Sequence, residues 1–457
     1  MQTRRLRDPR LLAVSLALLT AYPSAQDGWL DAYREPATRL IDEATGSRFA
    51  WERLAELGDT FGHRLSGSAS LEAAIAWAAE QMKRDGLENV RLDPVTVPRW
   101  VRGEESVEIT SPGRHRLAML GLGNSIGTPP GGIEAELLVV RSFHDLDAAA
   151  DRVKGRIVLY DVPFTTYSET VQYRIDGPSR AAARGAVAAL VRSIGPAGLR
   201  TPHTGMLRYI DGPPQIPAAA IAAEDADRLR RMQERGTPVR LRLKMGARFL
   251  PDADSSNLIG ELRGRERPQE VVVVGGHFDS WDVGTGSSDN GGGCVVTWEA
   301  LRLMKKLGLR PRRTVRVVLF TNEENGLRGG LSYRDRYRDQ LANHVLMLES
   351  DSGVFKPVGF GFSGSDAGRR TVEAISSLLA GTGATAITSG GGGADIGPSV
   401  QAANIPAMSL EVDGDYFLIH HTAADTIERI DPKDIARASA AIAVMAYVVA
   451  DMAERLR

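Results

Sequence analysis

From Ser255 onward the chain alternates near-continuous apolar runs with helical segments, and few folds satisfy that pattern. The runs are VVVVGG, VRVVLFT, HVLMLES and IPAMSLEV; between them lie CVVTWEALRLMKKLG, GLSYRDRYRDQLANH and RRTVEAISSLLAG. A strand with one wet face alternates apolar and polar residues. These strands do not, so both faces must be covered, which is the condition of a parallel sheet with helical crossovers. The expected fold is α/β, a mostly parallel central sheet flanked by helices. Pro432 to Leu456 reads as one further amphipathic helix, and its run AAIAVMAYVVA is too short to cross a bilayer.

The preceding sequence has a different texture. Between Trp29 and Gly86 the pattern is helical, with Leu71, Ala74, Ile75, Ala78 and Met82 on one face and the loop FGHRLSGSAS interrupting it. NVRLDPVTVPRW then alternates as a strand does, and Pro94 and Pro98 place it at a sheet edge. From about 116 to 248, short strands (AELLVV, GRIVLYDV, AVAALV, IPAAAI, VRLRLKM) are separated by Gly/Pro turns. This block reads as a smaller, strand-rich domain inserted into a discontinuous main domain of residues 26–115 and 249–457. His144 and His203 stand alone in it and suggest no site.

Residues 1–25 read as a signal peptide. Arg4, Arg5, Arg7 and Arg10 form a basic start, Leu11 to Leu19 a short apolar run, and Ser24 and Ala25 a cleavage point. Export is therefore expected, with no membrane span after processing. The 56 basic and 57 acidic residues balance, so no global field draws the chain to nucleic acid or anionic lipid. With 43% apolar and 25% charged residues, disorder is excluded as well. The sole cysteine, Cys294, excludes an intrachain disulfide and a thiolate zinc cage, and reads as a small buried residue.

Each apolar run leads into groups that bind metals. The first is followed by His277, Asp279, Asp282 and Asp289, the second by Glu323 and Glu324. The third carries Glu349 and Asp351, and the fourth Asp413, Asp415, His420, His421 and Asp425. Ligands of open α/β sheets bind beyond the carboxyl ends of the strands, and His, Asp and Glu are donors that zinc accepts. The 48 glycines exceed the roughly 7% average and cluster beside these residues. Gly284, Gly286 and Gly291 to Gly293 surround Asp289, and Gly390 to Gly393 precede Asp395, without the Lys-Ser/Thr signature of a phosphate loop. Peptide hydrolysis needs an activated water, a polarised carbonyl and a stabilised oxyanion. Two close metals with a bridging carboxylate supply all three, while one free carboxylate moves the proton. Adjacent residues of an extended chain point opposite ways, so one of Glu323 and Glu324 can bind metal while the other faces substrate; the spacing does not assign which.

The stretches GGHFDSWDVG, SDNGGG, TNEENG, ESDSG and HHTAADT, with RLSGS at Arg64–Ser68, resemble the zinc exopeptidases of the carboxypeptidase Q (plasma glutamate carboxypeptidase) group, relatives of the bacterial leucyl aminopeptidases. The resemblance covers essentially the whole mature chain, and KGRIVLYDVP looks like the protease-associated domain often inserted there. It implies two zinc ions per chain, with His277 and Asp351 on one, Glu324 and His421 on the other, and Asp289 bridging. It implies Glu323 as general base, Asp279 as the group orienting the His277 imidazole, and His420 as an oxyanion donor, since some relatives have Tyr there. The implied substrates are dipeptides or short peptides, cleaved with carboxypeptidase or aminopeptidase polarity, and a homodimer is implied too. Arg64, His420 and Asp395 are the groups that could read the substrate's terminal charge. One departure is Asn290, where aminopeptidase relatives commonly have a second Asp, which puts the strength of the second metal site in question. Two other classes resemble this fold. The transferrin-receptor lineage has lost the metal site, whereas all five ligand positions are filled here; the glutaminyl cyclases hold a single zinc.

Overall fold

A computed structural model describes residues 28–456; the leader expected over 1–25 lies outside the described residues. The apolar runs form the middle of an eight-stranded sheet. In chain order its strands are β1 (Glu88–Val101), β2 (Arg248–Leu262), β3 (Arg267–His277), β4 (Arg313–Phe320), β5 (His344–Glu349), β6 (Lys356–Ser363), β7 (Ala386–Ser389) and β8 (Ala407–Asp413). In space they lie β1-β2-β4-β3-β5-β8-β6-β7. The four central strands β4, β3, β5 and β8 are parallel, and they are the four apolar runs. Antiparallel pairings join β2 to β4, β1 to β2 and β6 to β8. Every residue of β4 and β5 is buried, as a two-sided cover requires.

The cover comes from helices α1 (Asp31–Thr45), α2 (Phe49–Phe61), α3 (Ala69–Arg84), α4 (Gly292–Lys306) and α5 (Pro432–Asp451), among others. Helix α3 starts where Ser68 Oγ accepts the amide of Leu71 at 3.2 Å, and Leu71, Ala74, Ile75, Ala78 and Met82 are all buried, as their spacing predicts. Helix α5 is buried from Ile435 to Ala450 apart from Arg437; its alanines let α1 and α4 approach closely within one core. Among the described residues no helix is long and apolar enough to cross a membrane.

A second eight-stranded sheet has the strands Glu105–Ser111, His115–Leu117, Met119–Gly121, Ile133–Val140, Ile157–Tyr160, Ala188–Arg192, Ala218–Ile221 and Arg240–Met245. It begins ahead of residue 116, because Glu105–Ser111 pairs antiparallel with Arg240–Met245. The chain passes between the sheets along a ribbon in which Trp100 and Val101 of β1 face Phe249 and Arg248 of β2. Trp100 meets Trp281 edge-on at 6.4 Å, and both, with Leu65, belong to the core under the second sheet. That core therefore includes Trp281 from the loop after β3, which sets the second sheet against the carboxyl ends of the central strands.

Candidate metal centre

His277 is the last residue of β3, and Glu323 and Glu324 follow β4, Asp351 follows β5, and His420 and His421 follow β8. Asp289 lies in the loop between β3 and α4. These side chains converge from four strands into two clusters that share Asp289. His277 Nε2 stands 3.3 Å from Asp289 Oδ1 and 3.1 Å from Asp351 Oδ1. His421 Nε2 stands 3.2 Å from Asp289 Oδ2 and 3.1 Å from Glu324 Oε2. Asp289 thus offers one oxygen to each cluster, and its Oδ2 is buried without a hydrogen-bond partner. Buried polar atoms are normally paired, so an orphaned carboxylate oxygen among imidazoles and further carboxylates fits a bound cation. Nitrogen and oxygen donors without thiolate suit zinc.

The charges make the same point. Burial raises Glu323 to about 8, with Asp351, Asp279 and Asp289 adding to the shift and His277 opposing it. Burial and Asp289 push Glu324 well above the usual carboxylate range. Carboxylates this crowded resist ionising together unless cations lie among them. A cavity of about 370 Å³ opens over both clusters, and Glu323 lines it. The Glu323 carboxylate has no hydrogen-bond partner among the described residues, whereas Glu324 spends Oε1 on the Trp281 amide at 3.2 Å. Both glutamates line the cavity, but Glu324 also stands against His421 while the Glu323 carboxylate is left to the open space.

Supporting contacts set these side chains. Asp279 differs from the expectation. Its backbone carbonyl, not its carboxylate, accepts from His277 Nδ1 at 3.0 Å, and the nearer carboxylate oxygen is 3.8 Å away. The carboxylate instead accepts the amides of Glu323 and Glu324, each at 3.2 Å, and the hydroxyl of Ser66 at 3.0 Å. It holds the glutamate loop rather than the imidazole. Asp425 accepts the amides of Ser288 and Asp289 at 2.6 and 3.0 Å and so fixes the shared carboxylate. Asn290 turns away from the ligands: its Nδ2 donates to the Ser350 carbonyl at 2.8 Å and its Oδ1 accepts from Gly293 at 3.1 Å. An amide, with one donor and one acceptor, is what those two partners require. Gly293 sits so close that a Cβ would overlap the Ser350 carbonyl.

Several expected groups lie elsewhere. Arg64 is fully buried and donates to the carbonyls of Phe278, Gly62, Thr285 and Gly286, so it braces the loop before Asp289 and does not face the cavity. Asp395 is buried beside Glu349, which accepts the Ile396 amide at 3.0 Å. Asp282 pairs with Arg102, and Asp413 and Asp415 are exposed. Cys294 is buried, its thiol donates to the His277 carbonyl, and burial pushes it up, away from thiolate. His420 stacks on His421 at 3.5 Å, with Nε2 3.6 Å from Asp289 Oδ2. Burial and the neighbouring His421 keep it neutral.

The cavity residues that sequence reasoning missed include Tyr416 and Phe417 after β8 and a group from the segment of the second sheet. Tyr167, Val171, Arg174 and Ile175 of the helix Tyr167–Ile175, with Met206, wall the cavity opposite the ligands. Tyr167 stacks on Phe417 at 5.4 Å and meets His420 edge-on at 5.2 Å. No spacing in the segment YSETVQYRI signals this role, because Phe417, His420 and His421 lie more than 200 residues away in sequence.

The sequence profile described as peptidase family M28 matches residues 257–446. Over 428 residues the chain is 46% identical to carboxypeptidase Q of Mus musculus, covering 93% of this chain and 91% of that one. The chain belongs to peptidase family M28. A peptidase M28 precursor from Shewanella amazonensis SB2B superposes with a TM-score of 0.89 at 34% identity, covering 93% of this chain and 98% of that one. A zinc aminopeptidase from Bacillus subtilis shares the fold, with a TM-score of 0.66 at 21% identity over 89% and 96% of the two chains. As an M28 member similar to carboxypeptidase Q, the chain is a metallo-exopeptidase.

Proposed function

We propose that this M28 chain is an exported di-zinc exopeptidase that hydrolyses dipeptides or short peptides with carboxypeptidase polarity. The observation that carries the metal reading is the division of the buried Asp289 carboxylate between two His-carboxylate clusters. His277 and Asp351 would hold one ion, Glu324 and His421 the other, with Asp289 between them. Bound zinc supplies Lewis acidity to the scissile carbonyl and to the attacking water. Glu323, facing the cavity, takes the proton of that water and delivers it to the leaving amine. His420, neutral and close to the shared carboxylate, gives an N–H to the developing oxyanion. A cavity of about 370 Å³ roofed by Tyr167 and Phe417 favours small substrates and keeps out bulk water. Polarity rests on the 46% identity to carboxypeptidase Q, and export on the basic and apolar start of the chain.

The test is metal content by mass spectrometry together with a dipeptide panel blocked at either end. Two zinc ions per chain and hydrolysis of amine-blocked but not carboxyl-blocked dipeptides are expected. The opposite blocking pattern would establish an aminopeptidase, and a metal-free chain without chelator-sensitive hydrolysis would end the enzymatic reading.

A further inference from the structure

The two clusters differ in what orients their imidazoles. A histidine that binds metal through Nε2 carries its proton on Nδ1 and needs an acceptor there. For His277 the acceptor is the Asp279 carbonyl, two residues along the same loop. For His421 it is the Thr204 carbonyl, at 3.3 Å, from the segment between two strands of the second sheet. The Thr204 amide in turn donates to the His421 carbonyl at 3.0 Å.

Arg174 grips this segment. Its Nη1 donates to the Thr204 carbonyl at 3.3 Å and its Nε to the Met206 carbonyl at 3.2 Å. Its Nη2 donates to the Tyr167 hydroxyl at 2.8 Å, and the side chain is 5% exposed. Gly205 lies between the two gripped carbonyls at φ +131°, where a Cβ would overlap the guanidinium. Arg102 adds a second hold, from the Thr204 hydroxyl at 3.3 Å to Asp282 in the loop after His277. Arg174 Nη1 also lies 3.4 Å from His421 Nδ1. If the Thr204 carbonyl moved away, that N–H would favour the tautomer with the proton on Nε2, which cannot bind metal through Nε2. A planar fork can span two carbonyls at once; an ammonium cannot reproduce that geometry.

We propose that Arg174 is a positioning residue for one metal half-site only: it fixes the Thr204 carbonyl beneath His421, so the Glu324–His421 cluster is completed by the second sheet while the His277–Asp351 cluster is not. This rests on the di-metal reading. The experiment titrates zinc into metal-free full-length protein by calorimetry, for the wild type, Arg174→Met and Arg174→Lys. Two equivalents are expected for the wild type. In Arg174→Met one equivalent should keep its affinity and the other weaken about 10- to 100-fold, the usual effect of losing a group that orients a ligand. Arg174→Lys, which preserves charge and most of the packing, should show the same selective loss. The circular dichroism spectrum and the affinity of the retained equivalent should be unchanged in both variants, which general unfolding would not allow. Loss of both equivalents together, or two unchanged equivalents, in the folded Lys variant overturns the proposal. A wild type that binds no zinc overturns the di-metal reading itself, a distinct outcome.

Discussion

Glu323 and Glu324 are chemically identical neighbours, and their separation into two roles follows from what each carboxylate meets. Both carboxylates border the cavity, but Glu324 is also spent on His421 and the Trp281 amide, whereas Glu323 has no such partner. Glu323→Gln keeps shape and ligands but removes the proton acceptor. Turnover should fall by about 10²- to 10⁴-fold with zinc content unchanged; steady-state rates with metal analysis of the same preparation check this, and unaltered turnover would remove Glu323 as the base. The adjacent histidines separate in the same way. His421 contacts both Asp289 and Glu324, whereas His420 reaches only Asp289, and at a longer distance. His421→Ala should therefore lose more metal on dialysis than His420→Ala, and the reverse order would exchange their roles. At this scale the donor types are legible in the sequence because each follows an apolar run. Their orientation is not, because it depends on backbone partners such as the Asp279 carbonyl, which any residue at that position would provide.

At the scale of elements, the four parallel strands are legible because burial on both faces leaves no polar alternation. Strands β6 and β7 are not: glycines interrupt KPVGFGFS, and AITS is four residues long and largely exposed. Glu105–Ser111 is hidden too, because its two glutamates read as loop while its buried residues are only Val107 and Ile109. The start of β5 also carries a titratable anchor. His344 is buried, shares a hydrogen bond with the Tyr333 hydroxyl at 2.9 Å, and donates from Nδ1 to the Gln340 carbonyl at 3.1 Å. Burial, reinforced by the Arg316 guanidinium, lowers it to about 4. The unfolded chain then binds the extra proton first, so this contribution is intact above about pH 6.5 and is lost as pH falls towards 4. The loss amounts to about 3 kcal/mol. Denaturant melts at pH 7 and pH 5 should show a shallower pH slope for His344→Gln than for the wild type, and equal slopes would refute the assignment.

At the scale of the whole molecule, the second sheet is legible as a block of short strands, yet its contacts with the candidate site are not. The contact between Arg174 and His421 spans 247 positions and that between Thr204 and His421 spans 217. No local pattern encodes such pairings; they arise because the ribbon of β1 and β2 and the packing of Trp100 on Trp281 set the second sheet over the strand ends. The same sheet reaches the glutamate loop, where Asn124 Nδ2 donates to the Asn325 carbonyl at 3.3 Å. The candidate metal centre is therefore the point at which four strand ends and the second sheet are tied together. Cations bound there would neutralise carboxylates that otherwise repel, and a cation that binds the folded chain alone adds about 2.7 kcal/mol at 100 times its Kd. Chelation should lower the unfolding temperature, and added zinc should restore it. The change should be local as well: hydrogen exchange should quicken at Thr204–Met206 and Asn322–Asn325 on chelation, while α5, buried far along its length in the main core, keeps its protection. Uniform quickening across α5 and the loops would mean that the metals stabilise the whole fold without joining its two sheets.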